Sequence, residues 1–393
     1  MSEIFNVESS IFEKKAVLSE QYLPDKLIAR DQQIKEIAKQ IEPALHKGVP
    51  GNGLILGEKG VGKTSVVKYV IKEFTGIAAK DNISAKVIFL NCGVTNTTSR
   101  IILEIVHQVS PELQVPKTGL SLNEYYNILW QALNEKQISI IIVLDDIEML
   151  KNFDVLLSLS QAGEKMCIGN DVHIGIIGIS NDLFFPEKLP SILVQSFNYK
   201  EMIFPPYNEK EMEQILEARS SIAFKEEIID EHVIPTCILL SRKNGYSYKA
   251  IKLLEKAGEI AERKKEDFLN DKHVFLANDE LKTESGISAL KKLPIHQKLV
   301  LLSVVRLLKI PDDKITTGQV VAEYQNLCTK LEINPLGRTS VSKIISEFDM
   351  QDIISAFHRS RGRYGKTRLI SLKWDPNRIK EALNYDYRLK DLQ

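Results

Sequence analysis

A glycine-rich stretch at residues 57–64, GEKGVGKT, carries the strongest chemical signal in the chain. It matches the pattern G-x-x-x-x-G-K-T, in which the glycines let backbone N–H groups turn towards a phosphate chain. The lysine of this pattern reaches the β- and γ-phosphates, and the hydroxyl that follows it binds Mg²⁺. The sequence therefore predicts a nucleoside triphosphate site with Mg²⁺, formed by Gly57, Glu58, Lys59, Gly60, Val61, Gly62, Lys63, Thr64 and Ser65.

The neighbours of this stretch are those that the chemistry requires. An apolar run precedes it at residues 53–56, and a helix-period pattern follows at residues 65–74. A helix that begins beside the loop adds unpaired N–H donors and a partial positive charge. The alternative is a chance glycine loop, and the match of both flanks argues against it.

Two further apolar runs end in polar side chains. Residues 138–144 lead into Asp145 and Asp146, and residues 173–180 lead into Asn181. Asp145 is predicted to hold Mg²⁺. Asp146 could polarise a water that attacks the γ-phosphate, and Asn181 could hold that water or a phosphate oxygen. The alternative for each is a polar strand end, a helix cap or a turn.

The order of the elements predicts three domains. Strands alternate with helices through residues 1–206, which indicates a three-layer α/β domain with a parallel sheet. A small helical domain is predicted at 207–284, and a C-terminal domain at 285–393. The predicted strands are 53–57, 86–91, 138–144, 173–180 and 201–204, and the predicted helices are 31–46, 63–74, 99–109, 122–135, 209–224, 231–243 and 247–265.

The last part of the chain differs in charge from the rest. Residues 286–393 hold nineteen Lys and Arg against eleven Asp and Glu, a net charge of about +8. Three predicted helices, at 294–308, 316–331 and 338–348, precede a basic hairpin, which is typical of a winged helix-turn-helix. The alternative is a solvated hairpin or a protein-binding domain. The predicted DNA contacts are Arg338, Thr339, Ser340, Ser342, Lys343, Arg359, Arg361, Arg363, Tyr364, Lys366 and Arg368.

Composition excludes several other classes of protein. The net charge of the whole chain is zero, so only the local charge of the tail indicates nucleic acid. The four cysteines form no C-x-x-C pair, which argues against a zinc site or a disulfide framework. The N-terminus lacks a signal-peptide pattern, and no apolar run approaches the ~20 residues of a membrane span. We expect a cytoplasmic, nucleoid-associated protein without a membrane partner.

Motifs spread over nearly the whole chain, taken in order, match those of one family. By these motifs the chain resembles an AAA+ ATPase of the archaeal replication-initiator family, whose members are relatives of the eukaryotic origin-recognition complex and of cell-division-control protein six. The segments that carry the resemblance are 22–24 (YLP), 30–31 (RD), 57–64, 144–147 (LDDI), 179–183 (ISNDL), 204–207 (FPPY) and 359–363 (RSRGR).

The resemblance implies a function. It implies an ATP- and ADP-binding protein that recognises double-stranded origin DNA and recruits or loads the replicative helicase, with paralogous initiators as further partners. The helical domain would be the lid, and Lys117 and Thr118 would lie in an insertion that touches DNA. Tyr207 and Lys249 would lie at the nucleotide. Arg30 is either a solvated charge or another neighbour of the nucleotide.

Three departures from the family pattern bear on hydrolysis. Asp146 stands where the family usually has glutamate, so its carboxylate reaches one methylene less far. Tyr248 stands where a lid arginine is expected, although Lys249 is adjacent. No arginine finger is present at residues 190–196. Because such arginines accelerate phosphoryl transfer by orders of magnitude, we predict tight nucleotide binding and at most weak ATPase activity.

Two other functions remain open from the sequence. The missing arginines would also fit a negative regulator of initiation that keeps the AAA+ domain as a scaffold. A transcriptional regulator of the signal-transducing ATPase kind also joins an NTPase to a winged helix. That last class predicts a sensor domain, and no segment remains for one.

Overall fold

The computed structural model describes residues 10–242, 247–308, 314–360 and 366–392. The chain divides into two compact units, Met1–Ala277 and Asn278–Gln393. Each unit has its own apolar core.

The first unit is built on a five-stranded sheet in which every neighbouring pair is parallel. The strand order is β2-β3-β4-β1-β5, which confirms the predicted parallel α/β domain. The strands are β1 Asn52–Leu56, β2 Ala85–Asn91, β3 Ser139–Asp145, β4 Ile174–Ser180 and β5 Tyr199–Ile203.

The central position of β3 follows from its composition. Every residue of β3 is buried, as expected for a strand covered by helices on both faces. In the register of the sheet, Leu56 pairs with Ser180 and Asp145 pairs with Ile179. The ends of β1, β3 and β4 therefore meet at one edge of the sheet, and the polar residues that follow them meet there too.

Among the residues that the structure describes, six helices belong to this α/β part of the first unit. The two shortest helices were not predicted, because seven residues carry too little helical periodicity to be recognised. The helix predicted over residues 31–46 is α-helical to Ile41 and then continues as a 3₁₀ turn that contains Pro43. The helices are α1 Asp31–Ile41, α2 Lys63–Lys80, α3 Thr98–Val109, α4 Leu122–Lys136, α5 Asp154–Ser160 and α6 Ser191–Phe197.

The helical domain begins at a capping box in which Asn208 and Glu211 satisfy each other's backbone N–H groups. A segment near the N-terminus of the chain pairs with it. Phe12 forms a β-bridge with Phe224, and their rings stack at 5.0 Å. The helices are α7 Glu209–Ala223, α8 Val233–Ser241, α9 Ser247–Lys264 and α10 Asp271–Lys291.

The second unit has the predicted winged-helix architecture. Three helices precede a hairpin, and the hairpin joins a short strand in an antiparallel sheet of order β6-β8-β7. The apolar faces of the helices pack around Tyr324, which is fully buried. The elements are α11 Ile295–Leu307, β6 Ile315–Thr316, α12 Thr317–Lys330, α13 Arg338–Met350, β7 Ile354–Ser360, β8 Lys366–Leu372 and α14 Pro376–Leu383.

The domain boundaries predicted at 206/207 and 284/285 stay predictions. Helix α10 continues through residues 284 and 285, and the division between the two compact units falls earlier in the same helix.

Candidate nucleotide-binding and DNA-binding sites

The phosphate-binding loop has the backbone that its glycines allow. Gly60 and Gly62 both have φ of +89°, a left-handed conformation that other residues rarely adopt. A Cβ on Gly62 would come within 2.5 Å of the Tyr207 hydroxyl oxygen, and one on Gly57 within 2.7 Å of the Phe204 carbonyl oxygen. The loop therefore has no room for side chains at these positions, as a close approach to phosphate requires.

Lys63 begins α2, and its side chain is almost fully buried. Its ammonium donates to the carbonyl oxygens of Gly57 at 2.7 Å and Glu58 at 2.8 Å, and to Asn181 Oδ1 at 2.9 Å. Burial lowers the pKa of Lys63, and nearby carboxylates, Glu148 first among them, oppose that shift. An ammonium has three protons, so a phosphate oxygen would replace one of these acceptors.

Thr64 and Asp145 meet across the sheet edge. The Thr64 hydroxyl lies 3.2 Å from both carboxylate oxygens of Asp145. Burial, together with the negative charge of Asp146, raises the pKa of Asp145. A hydroxyl beside a buried carboxylate is a donor set suited to Mg²⁺, which prefers oxygen ligands, and a dication would relieve the unfavourable burial of the charge. The residues present therefore fit the predicted Mg²⁺ site.

Asp146 and Asn181 are brought together as the strand ends predict. Asn181 Nδ2 donates to Asp146 Oδ1 at 2.8 Å, and Asn91 Nδ2 donates to Asp146 Oδ2 at 3.1 Å. Asp146 has φ of +55°, a conformation in which aspartate is several-fold enriched among non-glycine residues. Asn181 thus links Lys63, the residue predicted to bind phosphate, to Asp146, the residue predicted to polarise water.

Arg30 is buried, and it does not line the cleft that the loop and the strand ends form with the helical domain. It is 2% exposed, so the alternative of a solvated charge is wrong. Its guanidinium donates to the Val61 carbonyl at 2.9 and 3.2 Å and to the Pro205 carbonyl at 2.8 Å, and it stacks 3.7 Å from the centre of the Tyr207 ring. Arg30 and Tyr207 support the phosphate loop from behind. Their predicted contact with the nucleotide remains a prediction.

A cleft of about 320 Å³ opens between the loop, the strand ends and the helical domain. Lys59, Gly60, Gly62, Lys63, Thr64, Ser65, Asp145, Asp146 and Asn181 line it, all of them predicted from the sequence. The structure adds lining residues that sequence reasoning missed, because they come from remote parts of the chain with no motif of their own: Leu18, Ser19, Glu20, Arg219, Ile251 and Lys252. Tyr248, which stands at the position of the expected lid arginine, lines the cleft as well.

Lys249 does not line this cleft, although its neighbour Tyr248 does. The Lys249 ammonium donates to the Leu240 carbonyl at 2.8 Å, near the C-terminal end of α8, where a cation is favourable. Tyr248 faces Lys59, whose ammonium lies 5.9 Å from the centre of its ring. Lys252, one helical turn after Tyr248, is the lysine of α9 that lines the cleft.

The predicted contacts in the insertion, Lys117 and Thr118, line a second, more open cleft of about 510 Å³. Thr97 and Thr98, at the start of α3, lie in its wall, as does Lys151. Two lysines beside a helix N-terminus suit an anion, and a DNA phosphate is one. These residues stay predicted DNA contacts.

Most of the predicted contacts on α13 face outward. Arg338, Thr339, Ser340 and Lys343 are exposed, whereas Ser342 is half-buried. The opposite face of α13 is apolar and packs into the core of the second unit. The exposed face is thus free of a packing role within the described residues of this unit, as a helix that enters a groove requires.

The predicted wing residues divide into two groups. Arg361, Arg363 and Tyr364 lie outside the described residues, and the structure gives only the backbone pairing of Arg359 and Lys366 in the hairpin. Arg368 is described, and it has a partner. Its guanidinium donates to Ser346 Oγ at 2.6 Å and lies 3.4 Å from the Ser342 carbonyl oxygen, so it holds strand β8 against α13.

No helix in the described ranges combines the length and the apolar character that a bilayer crossing needs.

Family models match all three parts of the chain. They are described as "AAA domain" at residues 46–177, "Cdc6 AAA+ ATPase-type lid domain" at 213–279, and "CDC6, C terminal winged helix domain" at 288–382. Among solved structures, the chain is similar to the Aeropyrum pernix ORC1 protein in complex with DNA. The two share 34% identity over 98% of this chain and all of that one, with a TM-score of 0.77.

Curated relatives agree with these matches. The chain is 35% identical to an ORC1-type DNA replication protein of Thermococcus kodakarensis, over 97% of this chain and 93% of the relative. It is 33% identical to ORC1-type DNA replication protein 1 of Archaeoglobus fulgidus, over 98% of this chain and 93% of that one. Full-length similarity at this level, together with the lid and winged-helix matches, shows that the chain belongs to the ORC1-type family of archaeal AAA+ replication initiators.

Proposed function

We propose that this protein is an ATP-binding replication initiator that recognises double-stranded origin DNA and takes part in loading the replicative helicase. The observation that carries the proposal is the meeting of Lys63 with Asn181, and of Thr64 with Asp145, at one edge of the sheet. That edge opens into a cleft walled by the helical domain, in a chain whose tail is a basic winged helix.

In the nucleotide half of the proposal, each residue has a separate task. Bound ATP with Mg²⁺ supplies the γ-phosphoryl group and the charge that neutralises its oxygens. Lys63 and the loop N–H groups bind the phosphate chain, Thr64 and Asp145 hold the cation, and Arg30 fixes the loop through Val61. Asp146 accepts a proton from water, and Asn181 orients that water.

Hydrolysis is proposed to be slow. The Asp146 carboxylate is short and already accepts hydrogen bonds from Asn91 and Asn181. The cleft presents Tyr248 at the position of the usual lid arginine, and α6 holds no arginine. Turnover of ATP faster than about one per second, towards typical enzyme rates, would contradict this part of the proposal.

In the DNA half, α13 enters the major groove and the basic segment at residues 359–368 reaches the backbone or the neighbouring minor groove. Support comes from the exposed polar face of α13 and from the charge of the tail. It also comes from the similar Aeropyrum pernix ORC1 protein, whose structure was solved in complex with DNA. Paralogous initiators and the replicative helicase are the proposed protein partners.

A second candidate is a negative regulator of initiation that binds the same DNA. The shortened acid and the missing arginines favour it, because a regulator of that kind uses the AAA+ domain as a conformational scaffold and does not need rapid ATP hydrolysis. Both candidates share the cleft and the winged helix.

Footprinting tests the proposal and separates these candidates from a transcriptional regulator. We expect protection of replication-origin DNA by the full chain, with an extent that differs between ATP and no nucleotide. Protection of promoters alone would overturn both candidates. A helicase-recruitment assay on origin DNA then separates them, since only an initiator brings the helicase to the origin.

We further propose that Lys252, rather than Lys249, is the lid cation that meets the phosphate chain. In the structure Lys252 pairs with Glu255 at 3.0 Å, and its side chain is 39% exposed, so a phosphate could draw it away at modest cost. We expect Lys252→Ala to weaken ATP binding about fivefold more than ADP binding, the loss of roughly 1 kcal/mol at the last phosphate.

Lys249→Ala is the matched control, because it removes the same charge from the same helix. It should leave the ratio of ATP to ADP affinity unchanged, as measured by calorimetry on the full chain. An equal loss for both nucleotides in Lys252→Ala would show that Lys252 does not act at the last phosphate. A larger change of the ratio in Lys249→Ala would assign the role of lid cation to Lys249.

A further inference from the structure

Glu148, three residues after Asp145, lies at the same sheet edge but does not line the cleft. Its Oε1 atom accepts two hydrogen bonds from one residue. The backbone N–H of Asn181 donates to it at 3.1 Å, and Asn181 Nδ2 donates at 3.2 Å. Its second oxygen, Oε2, is buried without a hydrogen-bond partner among the described residues. A buried carboxylate oxygen left without a donor is costly, so this placement needs a reason.

The contacts of Glu148 fix the orientation of the Asn181 amide. Asn181 Nδ2 faces the carboxylates of Asp146 and Glu148, at 2.8 and 3.2 Å, and Asn181 Oδ1 faces the Lys63 ammonium at 2.9 Å. Carboxylates only accept and an ammonium only donates. A flipped amide would set its oxygen against two carboxylates and its NH₂ against a cation, so one orientation is enforced.

Glu148 is connected to Lys63 through the Asn181 amide. Asn181 Nδ2 donates to Glu148 Oε1 at 3.2 Å, and Asn181 Oδ1 accepts from the Lys63 ammonium at 2.9 Å. Two hydrogen bonds therefore link the loop at residues 57–64 to the segment that follows β3.

We propose that Glu148 is a positioning residue for ATP turnover, which holds the Asn181 amide in the orientation needed at the γ-phosphate. Glu148 acts through Asn181 and does not contact the nucleotide. This inference rests on the proposed function of the cleft, and it adds a third carboxylate to the pair that the motif supplies. Asp146 is one methylene shorter than the glutamate that the family usually has at its position. The longer Glu148 side chain therefore helps to orient Asn181.

Glu148→Ala separates turnover from binding. Two hydrogen bonds to a charged acceptor are lost, so we expect turnover of bound ATP to fall about tenfold or more. ATP affinity should stay equal or rise, because a negative charge near the triphosphate is removed. Turnover is followed with γ-labelled ATP under single-turnover conditions, and affinity by calorimetry. A purely structural role would weaken binding and turnover together.

Three variants complete the test. Glu148→Gln keeps an acceptor oxygen for the Asn181 N–H groups and should restore part of the lost rate. Glu187→Gln, an exposed carboxylate in the segment that follows β4, is the charge control and should change neither quantity. Asn181→Ala should itself slow turnover, and adding Glu148→Ala to it should cause little further loss, because residues that act as one unit are not additive.

The outcomes distinguish the inference from the proposed function. Full turnover in Glu148→Ala, or additive losses in the double variant, would overturn the inference while the proposed function stands. Absence of ATP turnover in the unaltered chain would also overturn it, although nucleotide and DNA binding would remain. Absence of ATP binding in the unaltered chain would overturn the proposed function itself.

Discussion

Replacing Lys63 with alanine should abolish useful ATP binding, with a loss of affinity of two orders of magnitude or more. In the structure the Lys63 ammonium is held at the mouth of the phosphate loop by three oxygens. It is thus preorganised to exchange one or more of them for phosphate oxygens. Each charge-assisted hydrogen bond contributes about 1.5–3 kcal/mol, and each 1.4 kcal/mol is tenfold in affinity. Calorimetry with ATP and with ADP measures the loss.

The fold should survive the change, since two of the acceptors that Lys63 leaves belong to the exposed residues Glu58 and Asn181, where water can replace the ammonium. Lys72→Ala is the matched control, because Lys72 lies on the same helix but forms only an exposed pair with Asp25. DNA affinity should change little in either variant when measured without nucleotide. ATP binding that persists in Lys63→Ala would show that the loop is not the phosphate site.

Removing the charges of Arg361 and Arg363 should weaken binding to every duplex sequence and flatten the dependence of affinity on salt. These residues lie between β7 and β8, within a stretch of ten residues, 359–368, that holds five cations and no acid. If each arginine neutralises one phosphate, the slope of log affinity against log salt should fall by about 0.9 per residue, or about 1.8 for Arg361→Gln with Arg363→Gln.

Titrations by fluorescence anisotropy on origin and random duplexes, at several salt concentrations, measure this slope. Arg378→Gln is the control, because Arg378 is exposed on α14, outside the predicted contacts. Origin and random DNA should lose affinity alike, as expected for contacts to the backbone rather than to bases. An unchanged slope in the double variant would show that Arg361 and Arg363 do not contact DNA.

Much of the fold could be predicted because its signals are local. The apolar run of β3, buried at each position, is by itself enough to predict a central strand. The glycine pattern is likewise enough to predict the conformation of the loop. The same holds for the three helices and hairpin of the tail. The short helices α5 and α6 escaped prediction, since their place is set by the sheet on which they pack rather than by their own periodicity.

The chemical core of the cleft could also be predicted, because the ends of parallel strands meet at one edge. Lys63, Thr64, Asp145, Asp146 and Asn181 do meet there. Side chains that act from other parts of the chain could not be placed in advance. Arg30 was left open between solvent and nucleotide, and the structure buries it behind the loop on the Val61 carbonyl. Nothing in the spacing of α9 distinguishes Lys249 from Lys252.

The sequence by itself determined which chemistry is proposed for the chain, since the residue types of the phosphate loop, the strand ends and the basic tail already indicate a triphosphate and a duplex as ligands. The tertiary structure alone decided which side chains support that chemistry. Glu148 reaches Asn181 because β3 and β4 lie side by side, and Lys249 bonds Leu240 because α8 packs on α9. Such contacts join residues that no local pattern connects, so only the packing of the elements reveals them.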